Sequence, residues 1–277
     1  MKKLFVSALL ISAFVSCSDD TNEITMKKDI TFAISGEFTQ TAFSRALMAD
    51  GSEMTDLWIY DYMDGVLNQQ VHQSSTDDDF GTPTLSLDYG THTVCFVAAR
   101  GRESTAGGTV ISWQKPSDTF WITEDITVTS GTSATKSVTL SRVTTKLRLL
   151  VLDKVPQDIA SVTVRPAQWW YGLDYTSGTA ATPNTNGFSI SVPSSYQGTE
   201  GSLILSIYGM SDTGEWVTDV DIIAKDASGS TIGAATIHDA PFLRNRVTEY
   251  SGRLFTLGSS IAISLDDTLL PSYTSEW

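Results

Sequence analysis

Large apolar side chains recur at every second position along most of this chain, and nowhere with the period of an amphipathic helix. Ile30, Phe32, Ile34 and Phe38 share one side of the first such run, as expected of a half-buried strand. Leu57–Tyr62 and Val66–Val71 follow, separated by Met63-Asp64-Gly65. Asp-Gly between two such runs predicts a hairpin, because glycine takes positive φ without steric cost. A second hairpin is predicted about Tyr89-Gly90, between Thr84–Asp88 and Thr91–Ala98; Phe120–Ile122, Ile126–Val128 and Ser137–Leu140 complete a first set. The second set runs through Thr145–Leu152, Ser161–Val164, Phe188–Val192, Leu203–Tyr208, Trp216–Ile223, Ala234–Ile237, Thr248–Phe255 and Ile261–Leu265. Turns at Asp212-Thr213-Gly214 and Asp226-Ala227-Ser228-Gly229 flank Trp216–Ile223 and read as hairpin-like.

Short strands punctuated by turn residues, without helical crossovers, predict an all-β fold of two antiparallel β-sandwich domains in tandem, transthyretin-like or Greek-key. The predicted divisions are residues 29–141 for an N-terminal sandwich and 142–277 for a C-terminal sandwich with a tail. No Pro/Gly linker marks the join near Arg142, so the two are expected to pack end to end.

The first residues obey a different pattern. Lys2 and Lys3 precede the apolar run Leu4–Val15, which ends at Ser16-Cys17. That run is shorter than the roughly 20 residues a bilayer span needs, and residues 1–16 read as a signal peptide. Phe14-Val15-Ser16-Cys17 resembles a bacterial lipobox, which would make Cys17 the acylated first residue of the mature chain and residues 17–28 an acidic tether. An ordinary cleaved signal with an incidental cysteine is the other reading. Acyl chains contribute about 0.8 kcal/mol per buried methylene, so several of them hold a protein at a membrane. Ser18-Asp19-Asp20 looks like the signal that directs lipoproteins of certain gut and oral anaerobes to the outer face of the outer membrane.

Charge narrows the partners. The formal net charge is −14, and removing Lys2 and Lys3 with the leader makes it −16. A surface this acidic repels nucleic acid. With Cys17 lipidated, Cys95 is left without a disulfide partner, and its place in Thr93-Val94-Cys95-Phe96-Val97 is that of a packed small hydrophobe.

Catalytic signatures are not apparent, and an enzyme is not expected. His72, His92 and His238 lie in separate segments without metal-ligand spacing, so no metal or cofactor is inferred. Gly101–Gly108 has no phosphate-binding lysine and reads as a flexible loop; Asp77-Asp78-Asp79 lacks the alternation of a calcium loop and reads as solvated. Trp169, Trp170 and Tyr171 stand apart, because adjacent strand residues face opposite ways and at least one ring must leave the core. Two readings are open: one indole fills the core while the others cover a sheet edge or the join, or the rings contact glycan or a partner subunit.

Three features together carry a family resemblance: the lipoprotein leader, Tyr89–Ala99 in the first set of strands, and Arg142–Leu149 with Arg244–Phe255 in the second. The chain resembles the fimbrillin superfamily, the FimA- and FimB-type subunits of type V pili. The resemblance implies a lipid-anchored surface subunit that meets other fimbrial subunits by β-strand addition. In stalk subunits of that family, an arginine-specific protease removes the lipid and a first strand, and a neighbour's strand fills the groove. Phe43-Ser44-Arg45-Ala46-Leu47 occupies the corresponding place, with Arg45 and Ala46 flanking the bond; an ordinary surface loop is the other reading. The C-terminal segment carries Leu269, Leu270, Tyr273 and Trp277 as anchors of a donated strand, although Pro271 interrupts it. The expected role is a non-catalytic anchor or accessory subunit at the outer-membrane surface. The alternative is a stand-alone surface lipoprotein that binds glycan through exposed aromatics.

Overall fold

The computed structural model describes residues 26–36, 54–101, 105–256 and 261–269. Before residue 143 the strands are β1 (Lys27–Gly36), β2 (Asp56–Met63), β3 (Val66–Ser74), β4 (Thr84–Asp88), β5 (Gly90–Ala99), β6 (Thr105–Gly107), β7 (Val110–Ser112), β8 (Phe120–Val128) and β9 (Thr135–Arg142). After it come β10 (Thr145–Val151), β11 (Ile159–Pro166), β12 (Trp170–Asp174), β13 (Thr179–Pro183), β14 (Phe188–Ser191), β15 (Leu203–Gly209), β16 (Glu215–Asp226), β17 (Thr231–Leu243), β18 (Arg246–Gly252) and β19 (Ile261–Leu269). The fold is all-β and built of several sheets, as the alternation predicts.

The first sandwich is one run of hydrogen-bonded strands, β3-β2-β5-β8-β9-β1-β4. β8 and β9 pair only at Phe120↔Arg142 and Trp121↔Ser141, so the run turns over at that corner. Its two halves then enclose a core in which Phe32, Ile34, Leu85 and Leu140 from one meet Leu57, Ile59, Phe96 and Phe120 from the other. The second sandwich packs β15-β10-β18-β19 against β14-β11-β16-β17 around Leu149, Leu205, Ile222, Trp216 and Phe242.

Pairing departs from the expected antiparallel pattern at one place in each sandwich. β1 runs parallel to β9, and β10 runs parallel to β18. Parallel neighbours cannot be joined by a tight turn, so each pair is closed by most of a sandwich acting as the crossover. Both sandwiches therefore seat an early strand beside a late one.

The Asp64-Gly65 hairpin forms between β2 and β3, with φ of 51° and 76° at the two residues. The hairpin predicted at Tyr89-Gly90 does not form. β4 pairs with β1, whereas β5 pairs with β2 and β8, so the chain crosses there from one half of the sandwich to the other. Gly90, at φ 145°, makes that step where a Cβ would lie 2.6 Å from the Met63 methyl. Asp226–Gly229 joins β16 to β17 as a hairpin, but Asp212–Gly214 links β15 to β16 across two sheets.

A fourth sheet, β13-β12-β7-β6, draws strands from both sides of residue 142. Leu173 of β12 pairs with Ile111 of β7, and residues 105–107, expected in a loop, form its edge strand. Beneath it, Trp58, Tyr60, Cys95 and Val97 pack with Trp113, Val143, Leu173, Tyr175 and Met210. Tyr60 and Tyr175 stack at 3.7 Å with only 5° between their planes. β5 is therefore covered on both faces: Val94 and Phe96 enter the first core, Cys95 and Val97 the third.

Candidate functional site

β1 occupies a seat rather than an edge. Its first half pairs antiparallel with β4 from Lys27↔Asp88 to Thr31↔Thr84, and its second half pairs parallel with β9 from Thr31↔Thr135 to Gly36↔Leu140. Alternation sends Ile30, Phe32 and Ile34 inward, where each is at most 3% exposed. Phe32 meets Phe96 with ring centroids 5.2 Å apart. Polar groups line the margins: Thr31 and Thr84 hydroxyls are 2.8 Å apart, and Lys28 Nζ donates to the Ser130 carbonyl. In its sheet β4 hydrogen-bonds to β1 alone, and β9 is otherwise held only by its short corner with β8. A chain lacking β1 would thus present two unpartnered strand margins above an uncovered apolar core.

Cys17, Arg45 and Ala46 lie outside the described residues, as do Leu270, Tyr273 and Trp277. Leu269 ends β19, an edge strand that pairs antiparallel with β18 from Gly252↔Ile261 to Arg246↔Leu269. Asp153 secures the stretch that follows β18, accepting hydrogen bonds from the backbone N–H of Leu254, Phe255 and Thr256 at 3.0, 2.7 and 2.9 Å. Burial pushes its carboxyl up, but these bonds and the Thr256 hydroxyl outweigh it and hold the carboxyl below the usual aspartate range.

The aromatic triplet divides between cores. Trp169 is 1% exposed, with Nε1 donating to the Tyr208 carbonyl at 3.0 Å and its ring edge-on to Phe242 and Trp216. A fully enclosed indole cannot stack on a sugar, so of the two readings Trp169 fits the one in which an indole fills the core. Trp170 is half-buried against the third core and Tyr171 against the second, so the strand's alternation places the two rings on opposite faces.

Each of the three histidines pairs with a different aspartate. His72 meets Asp56 at 2.8 Å, His92 lies enclosed between Asp61 and the Asp88 carbonyl, and His238 meets Asp219 on the surface. Asp77 belongs to a turn, where it accepts the Ser74 N–H at 2.7 Å. Among the described residues, no group of three or more His, Cys, Asp or Glu side chains could hold a metal ion. Burial pushes the Cys95 thiol up, away from the nucleophilic thiolate. Burial, then the Tyr62 hydroxyl, raises the Tyr175 phenol, which donates to the Gly108 carbonyl at 2.8 Å. Among the described residues, no helix is long and apolar enough to cross a membrane.

Two sandwiches joined by a shared sheet, with an inserted first strand, define a class of all-β protein. Residues 107–277 match the model of a family of unknown function, DUF6562, and the chain belongs to that family. No curated protein matches the chain. Among solved structures, it is similar to a Bacteroides thetaiotaomicron protein provisionally named as polysaccharide-binding (DUF1812), with a TM-score of 0.52 and 8% identity over 87% of this chain and 99% of that one. A provisionally named adhesin from Bacteroides ovatus gives 0.51 and 10% identity over 86% and 93%. A fimbrial assembly protein from Parabacteroides distasonis gives 0.47 and 12% identity over 87% and 99%. At these identities the likeness is one of fold.

The buried seat of β1 was not legible in the sequence. The alternation of Ile30, Phe32 and Ile34 announces a strand, but its two neighbours are 50 and 100 residues away, roughly, and lie on opposite sides of it.

Proposed function

We propose that the chain is a non-catalytic anchor or accessory subunit of a fimbria, tethered at the outer-membrane surface through an acylated Cys17 and joined to neighbouring subunits by β-strand addition. The observation that carries this reading is the seat of β1. A strand that supplies three enclosed side chains, and joins two otherwise weakly held strands, is the element whose exchange would bond one subunit to the next. Each enclosed apolar side chain contributes on the order of 2 kcal/mol to whichever strand fills the seat.

Two further features support it. Residues 37–55 connect β1 to β2 and carry Arg45-Ala46, so a cut there would sever β1 together with Cys17 and open the seat, whereas an uncut anchor would keep both and join a neighbour by offering a strand instead. In sequence, Phe32-Ala33-Ile34-Ser35 of β1 is echoed by Ile261-Ala262-Ile263-Ser264 of β19, so the edge strand carries a close copy of what the seat accepts. The names given to the structural relatives, an adhesin and a polysaccharide-binding protein, are in keeping with a surface role. Glycan contact through Trp169, Trp170 and Tyr171 has less support, since Trp169 is enclosed.

Mass spectrometry of the native N-terminus tests the reading. An acylated Cys17 is expected for an anchor and a start at Ala46 for a processed subunit. An unmodified start elsewhere would refute lipid tethering. Strand addition is tested separately: a chain beginning at Ala46 should bind a peptide spanning residues 261–269 and gain thermal stability, and no gain would refute exchange at this seat.

A further inference from the structure

We infer that the end of the first sandwich opposite the Arg142 corner docks on a lipid surface, with Met26, Val66 and Leu67 seated among the headgroups. This rests on the reading of an uncut, lipid-tethered chain and assigns the folded part a contact of its own with the membrane.

Strand direction defines the end. β1 begins beside the close of β4 at Lys27↔Asp88, and β2 closes beside the start of β3 at Met63↔Val66 and the start of β5 at Met63↔His92. β8 closes beside the start of β5 at Gly90↔Val128. The other end holds Phe120↔Arg142, from which the chain passes into β10. The tether therefore enters at the end away from that corner. Nine residue steps separate Cys17 from Met26. Fully extended they reach at most about 32 Å, so an acylated Cys17 confines this end to the neighbourhood of the bilayer.

Apolar exposure is concentrated there. Of the six large apolar side chains that are exposed among the described residues, three lie at this end: Met26 at 61%, Val66 at 69% and Leu67 at 42%. Neighbours on a strand face opposite ways, so exposure of both Val66 and Leu67 means that the β2–β3 hairpin projects past the core. Their placement is fixed before any contact. The Tyr89 N–H donates to the Met26 carbonyl at 2.9 Å, Asp64 and Gly65 form the hairpin turn, and the Met63 methyl packs where Gly90 leaves room for it. A preorganised surface loses little freedom on docking.

Charge permits the approach. The turns at this end, residues 26–28, 63–67, 88–91 and 128–135, carry Lys27 and Lys28 against Asp64 and Asp88, in a chain of 18 basic and 32 acidic residues. Lys27 lies 3.6 Å from Asp88, and residues 129–134 are uncharged. An anionic membrane repels a strongly acidic surface but not a balanced one. Asp64 at the turn keeps the seating shallow, because carrying its charge into hydrocarbon is costly. A projecting patch of three side chains falls well short of the roughly 800 Å² per partner of a stable protein interface, which favours lipid over a second copy.

The test places a nitrobenzoxadiazole probe on Ser130→Cys, at this end, or on Val217→Cys, on the outer face of the second sandwich; Cys95 is enclosed and stays unlabelled. Each chain is held on phosphatidylcholine–phosphatidylglycerol vesicles containing nitroxide lipid, in two forms. One is acylated at Cys17, and the other carries hexahistidine in place of residues 1–17 and is held by nickel-chelating lipid. In both forms the Ser130 probe should shift to the blue and be quenched about twofold or more, while the Val217 probe does neither. Val66→Asp with Leu67→Asp should abolish the Ser130 response with the unfolding temperature unchanged. The inference is overturned if the Ser130 probe stays unquenched, if both probes are quenched alike, or if the double substitution has no effect. A blue shift that appears without vesicles and grows with protein concentration would also overturn it, by assigning the patch to a second copy. Absence of lipid on Cys17 would refute the tether alone, since the histidine-held form still decides whether this end docks.

Discussion

Arg142 grips Asp118 with both arms of its guanidinium, Nε to Oδ1 at 2.7 Å and Nη2 to Oδ2 at 2.9 Å, and the two side chains are 3% and 0% exposed. The remaining arm donates to Asn245 Oδ1 at 2.7 Å, and the guanidinium carbon lies 4.6 Å from the centroid of the Phe120 ring. Thr144 completes the set with a 3.2 Å bond to the same carboxylate. One buried cation thus connects the last strand of the first sandwich to the β17–β18 turn of the second.

Removing only the cation leaves an enclosed carboxylate without its countercharge. Arg142→Met should therefore cost about 3–5 kcal/mol in urea unfolding. The double variant Arg142→Met with Asp118→Leu should recover much of that loss, because both desolvation penalties disappear together. Equal losses in the single and double variants would show that the ion pair is not what the single change disturbs.

Phe32 should matter far more than an equally apolar residue at the surface. Phe32→Ala is expected to cost about 3–5 kcal/mol through lost burial and a cavity against Phe96. Val66 is 69% exposed on β3, and Val66→Ala should stay within about 0.5 kcal/mol. Chemical denaturation of the two variants checks the contrast.

Gly209 cannot carry a side chain. A Cβ there would lie 2.0 Å from Trp169 Nε1 and 2.1 Å from Cε2. Gly209→Ala should cost about 3 kcal/mol and displace the indole, seen as altered tryptophan fluorescence. Adding Trp169→Phe should return part of the loss. A substitution that leaves both stability and fluorescence unchanged would contradict the packing described.

Asp153 gives residues 254–256, just after β18, a pH dependence of known sign. Its carboxyl is held lower in the folded chain than in the unfolded one, so its contribution is fully present above the ordinary aspartate value of about 3.9 and is lost as pH falls through the lower folded value. Protection of the Leu254, Phe255 and Thr256 amides, relative to their intrinsic exchange at each pH, should fall on acidification below about pH 4. In Asp153→Asn that acid step should vanish, and its persistence would assign the step to another group.

How far the chain could be read varies from residue to residue. Asp64-Gly65 announced its hairpin correctly because both partners lie within the reach of one turn. Tyr89-Gly90 carries similar chemistry, yet there the strands part company. A turn dipeptide fixes the local reversal of the backbone; which strand lies alongside afterwards is settled by distant partners. Trp169 shows the same limit. Alternation required two faces for Trp169 and Trp170, but only the packed structure supplied a second and a third core to receive them.

Sequence alone determined that this is an all-β chain with a first stretch patterned unlike the rest, an excess of acidic residues, and strands whose inward residues are Ile30, Phe32 and Ile34 or Leu147 and Leu149, because side-chain alternation and turn chemistry are local properties. Tertiary structure decided that β1 lies between β4 and β9, that β7 and β12 share a sheet, and that Met26 and Val66 come to one end of the first sandwich. Those are pairings between residues far apart in the chain, and backbone hydrogen bonds are alike in every strand. Only the simultaneous closure of all the cores selects among them.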